Sequence, residues 1–272
     1  MSEAAYSMGA NAGGLLASDE QKPFEILNPE AASPLLLICD HASNFIPRAF
    51  ANLGLDETQL ARHIAYDIGI ADVTRQLSRR LDATAVLSGF SRLIVDPNRE
   101  PEDPTQIPQI GDDVVIPGNR DLSEAARRSR VEALFEPYHR VIDREIDRLL
   151  ARGPAPALIS MHSFTPVMHG FERPWQVCAL WNKDARLPLP FMAKLRALGF
   201  NVGDNQPYSG RDHHGYTMHR HAQPRGLANL LIEIRQDLVD THHGASEWAE
   251  LLARALAEIL ADPTIYKAEQ VK

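Results

Sequence analysis

The chain has 272 residues, a length that suits one large α/β domain or two small ones. Hydrophobic residues make up 44% of it and charged residues 24%, proportions that are typical of a globular protein and argue against disorder. The net charge of -8 disfavours nucleic acid as the main partner, because an acidic surface repels phosphate backbones, although a local arginine cluster can still bind a small anion.

Residues 1–22 are small and polar, and we expect them to form an N-terminal arm ahead of a single domain over residues 23–272. No apolar stretch is long enough to span a bilayer, and the first residues lack the basic region of a secretory signal, so we expect a cytoplasmic protein that does not enter membranes. Cys39 and Cys178 each lie inside an apolar run, which predicts two buried free thiols.

Short apolar runs alternate with amphipathic stretches along the chain. The runs that predict strands buried on both faces are Pro34–Cys39, Thr84–Ser88, Leu93–Asp96, Ala157–Met161, Gln176–Trp181 and Ala228–Ile234. The stretches that predict helices are Leu60–Leu81, Asp121–Arg152, Leu189–Leu198 and Ser246–Ala261. This alternation predicts an α/β fold with a mostly parallel, mixed sheet flanked by helices.

Two long segments have no periodicity and are expected to be functional loops. Pro97–Arg120 is rich in Pro, Asp, Gly and Asn and predicts a long ordered loop. Asn205–Gly226 contains four histidines together with several Gly and Pro. Connections this long within one domain are usually functional, so we expect both to border a site.

Chemically capable side chains lie at the ends of four predicted strands. His41 follows the run PLLLICD, and Asn98 and Arg99 follow RLIVDP. His162 follows ALISM, and Glu233 lies near the end of ANLLIEI. In open α/β sheets, sites form beyond the carboxyl ends of the strands, so we expect these side chains to meet at one edge of the sheet.

Among the eleven histidines, His41 and His162 are the candidate metal ligands. A single histidine is more often structural, but both of these end strands and precede small, hydroxyl-bearing neighbours that leave room for a site. A hydrolytic zinc site needs three protein ligands and an open position for water. Asp67 is the favoured third ligand, although it also suits an ordinary helix start, and Asp40 is the second choice. Asn44 is a weaker candidate, because neutral amides bind zinc poorly.

Glu233 is the candidate general base. A carboxylate inside LLIEI is costly to bury unless it is paired or functional, and a base that acts on water needs such a partly desolvated carboxylate. The alternative is a buried ion pair with Arg235. Residues two apart share a strand face, so Arg235 can also serve the same site.

Asn98 and Arg99 are suited to bind an anionic substrate, because the arginine fork matches a carboxylate and the asparagine adds a donor. The same segment also fits a turn in which side chains bond their own backbone. Arg92, in SRLIVD, is expected to point into the site as well.

The segment GRDHHGYTMHRHAQPRG is interpreted as a substrate loop. We expect Tyr216, Thr217 and His221 to contact the substrate. The alternative is a second metal site among His213, His214, His219 and His221, but no clear ligand spacing singles out a pair.

The strand-end segments resemble the N-formylglutamate amidohydrolase family. The similar stretches are CDHASNFIP, SRLIVDPNR, ISMHSFTP and LIEIRQDL, with the loop GYTMHRHA between the last two, and the resemblance runs from about residue 23 to 260. The motifs are also similar to those of zinc carboxypeptidases, which implies a zinc carboxypeptidase-like (phosphorylase/hydrolase-like) fold. By that resemblance His162 binds zinc, Glu233 is the general base, and Asn98 and Arg99 bind a substrate carboxylate.

One position departs from the carboxypeptidase pattern. There the first ligand histidine is followed three residues later by a glutamate, whereas Asn44 stands three residues after His41. The departure implies that the missing ligand is elsewhere, with Asp67 the favoured position, or that metal binding is weaker.

The resemblance implies Zn²⁺ or another divalent metal as cofactor. We expect Arg92 to be a catalytic residue beside Glu233. The implied substrate is a small anionic N-acyl amino acid, with N-formyl-L-glutamate giving glutamate and formate. The alternatives are another carboxypeptidase-like or N-acyl amino acid deacylase activity, or a non-catalytic binder of acidic ligands on the same fold.

Overall fold

A seven-stranded mixed sheet organises residues 14–212 and 215–269, which the computed structural model of the chain describes. In spatial order, with labels that follow the chain, its strands are β1 (Phe24–Leu27), β3 (Thr84–Ser88), β2 (Leu35–Cys39), β6 (Ala157–Phe164), β11 (Asn229–Arg235), β9 (Val177–Leu180) and β10 (Val202–Asp204). The strands β3, β2, β6 and β11 are parallel, whereas β1 pairs antiparallel with β3 and β9 pairs antiparallel with β11. The predicted α/β class and mostly parallel mixed sheet are confirmed.

Helices cover both faces of this sheet. The helices are α1 (Glu57–Leu60), α2 (Ile70–Arg80), α3 (Glu124–Arg130), α4 (Glu136–Leu150), α5 (Pro188–Ala197), α6 (Tyr216–His221) and α7 (His242–Leu260). Helices α2, α5 and α7 pack on one face, and α4 and α6 pack on the other. Alternate residues of β2 point to opposite faces, so Leu37 packs in the core on the side of α2, α5 and α7, and Leu36 packs in the core on the side of α4 and α6.

Two small hairpins lie outside the main sheet. They are formed by β4 (Ile110–Gly111) with β5 (Val114–Val115) and by β7 (Val167–Met168) with β8 (Phe171–Glu172). The first lies inside the predicted loop Pro97–Arg120, and the second directly follows β6.

The strand predicted at Leu93–Asp96 is wrong, because this segment forms turns. Its polar backbone groups are satisfied outside a sheet: the Leu93 carbonyl accepts from Asn119 at 2.7 Å, and the Ile94 carbonyl accepts from Arg130 at 3.1 Å. These partners allow an apolar run to be buried without pairing to a neighbouring strand. The other five predicted strands are present, with ends that agree within three residues, and β1 and β10 were not predicted.

The predicted helix Leu60–Leu81 is wrong over its first half. Residues 61–69 form turns, and α2 starts only after Gly69, whose φ of +80° interrupts helical geometry. The predicted helix Asp121–Arg152 is present as α3 and α4, joined by a π-helical turn, Val131–Phe135. Pro137 lacks the N–H that a regular α-helix requires at that point, which accounts for the local change in hydrogen bonding.

Helix starts also differ in detail from the prediction. Ser123 caps α3 by accepting from the Ala126 N–H, whereas Asp121 has a φ of +52° and lies outside the helix. Helix α7 begins at His242, behind a Thr241 cap, and not at Ser246. The predicted loop Asn205–Gly226 contains α6, a short helix that its lack of periodicity did not indicate.

Cys39 and Cys178 are both free and buried, as predicted. The predicted arm, residues 1–22, falls partly on residues 1–13, which lie outside the described residues. Within residues 14–212 and 215–269, no helix has both the length and the apolar character needed to cross a bilayer.

Candidate active site

A cleft of about 110 Å³ opens near the carboxyl ends of β2, β6 and β11. Seven of the residues singled out in the sequence line it, namely His41, Asp67, Arg92, Asn98, Arg99, His162 and Glu233. The parallel arrangement of these three strands accounts for the convergence, because their ends meet at one edge of the sheet.

His41, Asp67 and His162 form a group that can hold a metal ion. One ligand atom from each lies within 4.8 Å of the others, and all three side chains are buried. The Nδ1 atoms of both imidazoles face the same carboxylate oxygen, Asp67 Oδ2, at 3.4 Å from His41 and 2.9 Å from His162. Two imidazole nitrogens and one carboxylate are the donor set of many hydrolytic zinc sites.

The opposite nitrogen of each imidazole is held by a second carboxylate. His41 Nε2 lies 2.8 Å from Asp96 Oδ1, and His162 Nε2 lies 3.1 Å from Asp40 Oδ2. When each Nε2–H donates to its carboxylate, each Nδ1 keeps its lone pair for an ion. This arrangement fits a metal bound through Nδ1 of both rings.

Asp40, the alternative third ligand, lies behind His162 and not beside Asp67. Its Oδ1 accepts hydrogen bonds from Tyr138 at 2.9 Å and Thr217 at 2.8 Å, and its Oδ2 accepts one from Ser160 at 3.0 Å. Burial opposes ionisation of Asp40, but the bond and charge of His162 outweigh it and lower its pKa to about 2. Asp40 therefore orients His162, and the structure brings Asp67 to both Nδ1 atoms.

The charges in this cluster shift the pKa values of its members. Burial alone would disfavour a charged imidazole, yet the bonds to Asp40 and Asp67 raise the pKa of His162 to about 10. Burial likewise opposes ionisation of Asp67, but the charges and bonds of His41 and His162 hold its pKa well below its usual range. The imidazole of His162 thus binds a proton tightly and Asp67 stays ionised, so a metal ion would displace a proton from His162 and meet a charged carboxylate.

Glu233 lies beside this group on β11, where it is the register partner of His162 on β6. Its side chain is only 7% exposed, and its Oε2 is buried with no hydrogen-bond partner in residues 14–212 and 215–269. Burial, with the charge of Asp67, raises the pKa of Glu233 to about 7 against the opposing charge of His162. A buried carboxylate oxygen without a partner is costly, and Glu233 lines a cleft where a ligand can supply the missing bond.

Two arginines and an asparagine form another part of the cleft wall. Arg92 donates to Asp96 Oδ2 at 2.7 Å and lies 3.4 Å from Asp67, so two carboxylates already balance its charge. Asn98 is fixed through its Oδ1, which accepts the Thr217 N–H at 3.1 Å. Arg99 is half-buried and lines the cleft next to Asn98.

The family model for N-formylglutamate amidohydrolase matches residues 33–239 of the chain. The chain belongs to the N-formylglutamate amidohydrolase family. The matched region contains every residue of the potential metal group and Glu233.

Two solved structures resemble this family member over most of its length. A gene product of Agrobacterium tumefaciens is 36% identical, with a TM-score of 0.89 over 91% of this chain and 98% of that one. N-formylglutamate amidohydrolase from Ralstonia eutropha is 20% identical, with a TM-score of 0.61 over 92% of this chain and 98% of its own, a likeness that shows the fold alone. No curated protein matches the chain.

Four of the expected substrate contacts lie away from the cleft of this amidohydrolase-family protein. Thr217 and His221 are fully buried on α6, and Tyr216 stacks on Phe135, since α6 turns these side chains into the protein. Arg235 pairs with Asp237 at 2.8 Å instead of with Glu233. None of these four is among the described residues that line the cleft, so the cleft geometry does not support their expected substrate contacts, which stay predictions.

The alternative second metal site is only partly described. His213 and His214 lie outside the described residues. His219 Nε2 lies 3.0 Å from the Gly210 carbonyl, and His221 Nδ1 lies 2.9 Å from Asp143 Oδ1, so these two imidazoles have separate partners.

Several cleft residues of this family member were not predicted. Those with polar side chains are His63, Ser163, Thr165, Tyr208 and Gln236. Ser163 and Thr165 adjoin His162 on or after β6, so the strand-end argument could have included them. His63 and Tyr208 come from turns and a loop, where no periodicity indicates the direction of a side chain.

Proposed function

We propose that this chain is a zinc-dependent amidohydrolase that cleaves the amide bond of an N-acyl amino acid. N-formyl-L-glutamate is the proposed substrate, with glutamate and formate as products. The observation that supports the reaction most directly is the unpartnered Oε2 of Glu233 beside the convergent His41, Asp67 and His162. The family membership and the name of the Ralstonia eutropha protein support the choice of amide.

His41, Asp67 and His162 would hold the zinc, with Asp96 and Asp40 orienting the two imidazoles. When bound, the ion would supply Lewis-acid chemistry, which polarises a carbonyl and lowers the pKa of a water molecule. Three protein ligands leave a coordination position open, as catalytic zinc sites require.

Glu233 acts as the general base in this proposal. Its Oε2 accepts a proton from water while the water oxygen forms a bond to the amide carbon. Glu233 then delivers that proton to the amide nitrogen as the carbon–nitrogen bond breaks, which gives a free amine and a carboxylic acid. The acid keeps the second hydrogen of the water and loses it to solvent to become the carboxylate. A pKa of about 7 suits both steps, because the group can take and return a proton near neutral pH.

Arg92, Asn98 and Arg99 orient the substrate. Arg99 presents a guanidinium fork to a carboxylate, and the fixed Asn98 adds an amide donor beside it. Arg92 is held by Asp96 and Asp67, so it provides a rigid positive group for the oxygen that becomes negative during the reaction.

Replacing Glu233 with glutamine tests the proposed reaction. Glu233→Gln keeps the size of the side chain but removes the base, so kcat for formate release should fall by roughly 10²- to 10⁴-fold. The zinc content of the purified variant should equal that of the wild type, because Glu233 is not among the three ligands.

A matched control is Glu172→Gln, which removes an exposed carboxylate from the β7–β8 hairpin. It should leave both kcat and metal content unchanged. Near-normal turnover by Glu233→Gln would remove Glu233 from the mechanism and with it the main support for this function.

A further inference from the structure

Arg173 is a buried guanidinium immediately behind the cleft. The residue is 7% exposed, and residues 14–212 and 215–269 offer it no carboxylate within 4.0 Å. Its Nη1 donates to the Thr165 carbonyl at 3.3 Å and to Thr165 Oγ1 at 3.0 Å. Its Nη2 donates to the Tyr208 hydroxyl at 3.1 Å.

The two hydroxyls that accept these bonds belong to residues that line the cleft. A hydroxyl that accepts a bond from a guanidinium still carries its own O–H, and the nearby cation makes that O–H a stronger donor. The guanidinium of Arg173 therefore polarises the hydroxyl groups of Thr165 and Tyr208, two residues of the cleft wall.

Arg130 shows what a purely structural buried arginine looks like in the same protein. It is 4% exposed and bonds the Ile94 carbonyl, the Gly118 carbonyl and Asn119 Oδ1. All three partners are carbonyl or amide oxygens, which carry no hydrogen and so cannot donate a further hydrogen bond. The partners of Arg173 differ, because two of its three acceptors are hydroxyls at a cleft.

The charge of Arg173 is also balanced less well than that of Arg92, which has two carboxylate partners. The rings of Tyr208 and Phe164, at 5.2 Å and 5.8 Å from the guanidinium carbon, offset only part of the cost of burying it. An anionic group bound in the cleft would neutralise the remaining positive charge of Arg173.

We propose that Tyr208 and Thr165, backed by Arg173, form a subsite for a second carboxylate of the substrate. The cleft would then select N-acyl derivatives of acidic amino acids over those of neutral ones. Leu180 and Leu231 line the same cleft and offer an apolar surface to the methylene groups between two carboxylates. The selection rests on the proposed amidohydrolase function, whereas binding of a dicarboxylate does not require turnover.

The test compares three substrates with the zinc-loaded enzyme: N-formyl-L-glutamate, N-formyl-L-glutamine and N-formyl-L-norvaline. The wild type should prefer the glutamate derivative in kcat/KM. Tyr208→Phe and Thr165→Val remove one hydroxyl each while keeping the shape of the side chain. Each should raise KM for N-formyl-L-glutamate by roughly 10- to 100-fold, the effect of losing a bond to a charged group, and leave KM for N-formyl-L-norvaline unchanged.

Tyr266→Phe is the matched control, since it removes a phenol hydroxyl from a partly buried tyrosine in the 3₁₀ turn Pro263–Tyr266, away from the cleft lining. It should change neither constant. An undiminished preference for glutamate in both cleft variants would overturn the subsite.

The remaining outcomes separate the subsite from the reaction. Equal kcat/KM for all three substrates in the wild type would refute the subsite and leave the amidohydrolase function standing. If no substrate is cleaved, the proposed reaction fails, and calorimetry with glutarate and butyrate decides the subsite. Tighter binding of glutarate that Tyr208→Phe abolishes would support it, and equal binding of the two acids would refute it.

Discussion

At the scale of single residues, the position of a residue that lines the cleft, Asn98, is fixed by buried side chains outside the cleft. His139 is completely buried, and its Nε2 donates to the Pro97 carbonyl at 3.0 Å, next to Asn98. Its Nδ1 lies 2.8 Å from Nε2 of His221, whose Nδ1 lies 2.9 Å from Asp143. This series of bonds fixes the backbone that carries Asn98.

His139 should make the protein sensitive to acid. Burial, together with the neighbouring His221, lowers the pKa of His139 to about 3 from 6.5. Between these values the unfolded chain binds a proton on this imidazole and the native chain does not, so acid favours unfolding. The stability from this effect is complete above pH 6.5 and is lost as the pH falls, at up to about 1.4 kcal/mol per pH unit.

Urea unfolding of the wild type and of His139→Gln, at several pH values between about 7 and 5, measures this effect. The free energy of unfolding should fall less steeply with acidification in the variant than in the wild type. Parallel pH dependences for the two proteins would contradict the assignment.

How much of the site could be predicted from the sequence varies from residue to residue. His41, His162 and Glu233 were predictable because strands fix the direction of a side chain and parallel strands end together. Asp67 could only be favoured over Asp40, because a turn places it and turns have no periodicity. Tyr208 was missed for the same reason.

At the scale of elements, the turn between α1 and α2 places Asp67 in the site, which a helix continuing from α1 would not do. The Asp67 N–H donates to the His41 carbonyl at 3.0 Å, which ties the turn to the chain just after β2 and brings the carboxylate to both imidazoles. The apolar spacing from Leu60 onward resembles a helix, so the sequence predicted one. Gly69, with a φ of +80°, is the residue that ends the turn and allows α2 to start in a new direction.

Gly69→Ala should therefore destabilise the protein. A Cβ at this position would lie 2.0 Å from the Val239 carbonyl oxygen, and the left-handed backbone alone costs about 1–2 kcal/mol for a residue with a Cβ. Gly199→Ala is the matched control, because Gly199 has a φ of +91° and no atom within 4 Å of the added Cβ. Chemical unfolding should show a larger loss for Gly69→Ala, and equal losses would mean that the close contact relaxes without cost.

At the scale of the whole molecule, the group that can hold a metal joins parts of the chain 121 positions apart in sequence, from His41 to His162. The overall architecture was predictable because runs buried on both faces alternate with amphipathic stretches. Strand order was not, since β9 runs antiparallel to β11 and local pattern carries no information on direction. The edge strands β1 and β10 are short, which is why the sequence did not indicate them.

Metal binding across such distant segments should stabilise the native state as a whole. Zinc at roughly 100 times its dissociation constant would add about 2.7 kcal/mol, provided that the unfolded chain does not bind it. For a chain of this size that corresponds to a rise in melting temperature of roughly 5–10 °C, measurable by scanning calorimetry of chelator-treated protein with and without zinc.

Asp67→Asn should reduce this thermal shift, since it removes one of the three ligand groups. Asp237→Asn, which removes an exposed carboxylate at the end of β11, should retain the full shift. Equal shifts in the two variants would argue that zinc binds elsewhere.

The reactivity of the two buried thiols, Cys39 and Cys178, reports on unfolding of the protein. Burial, with the charge of a nearby carboxylate, raises the pKa of both Cys39 and Cys178 well above the usual range of a thiol, so neither forms the reactive thiolate while the chain is folded. Cys39 precedes the Asp40–His41 pair, and Cys178 is the register partner of Glu233. Alkylation of either sulfur would therefore mark the moment at which the strands that carry these residues separate.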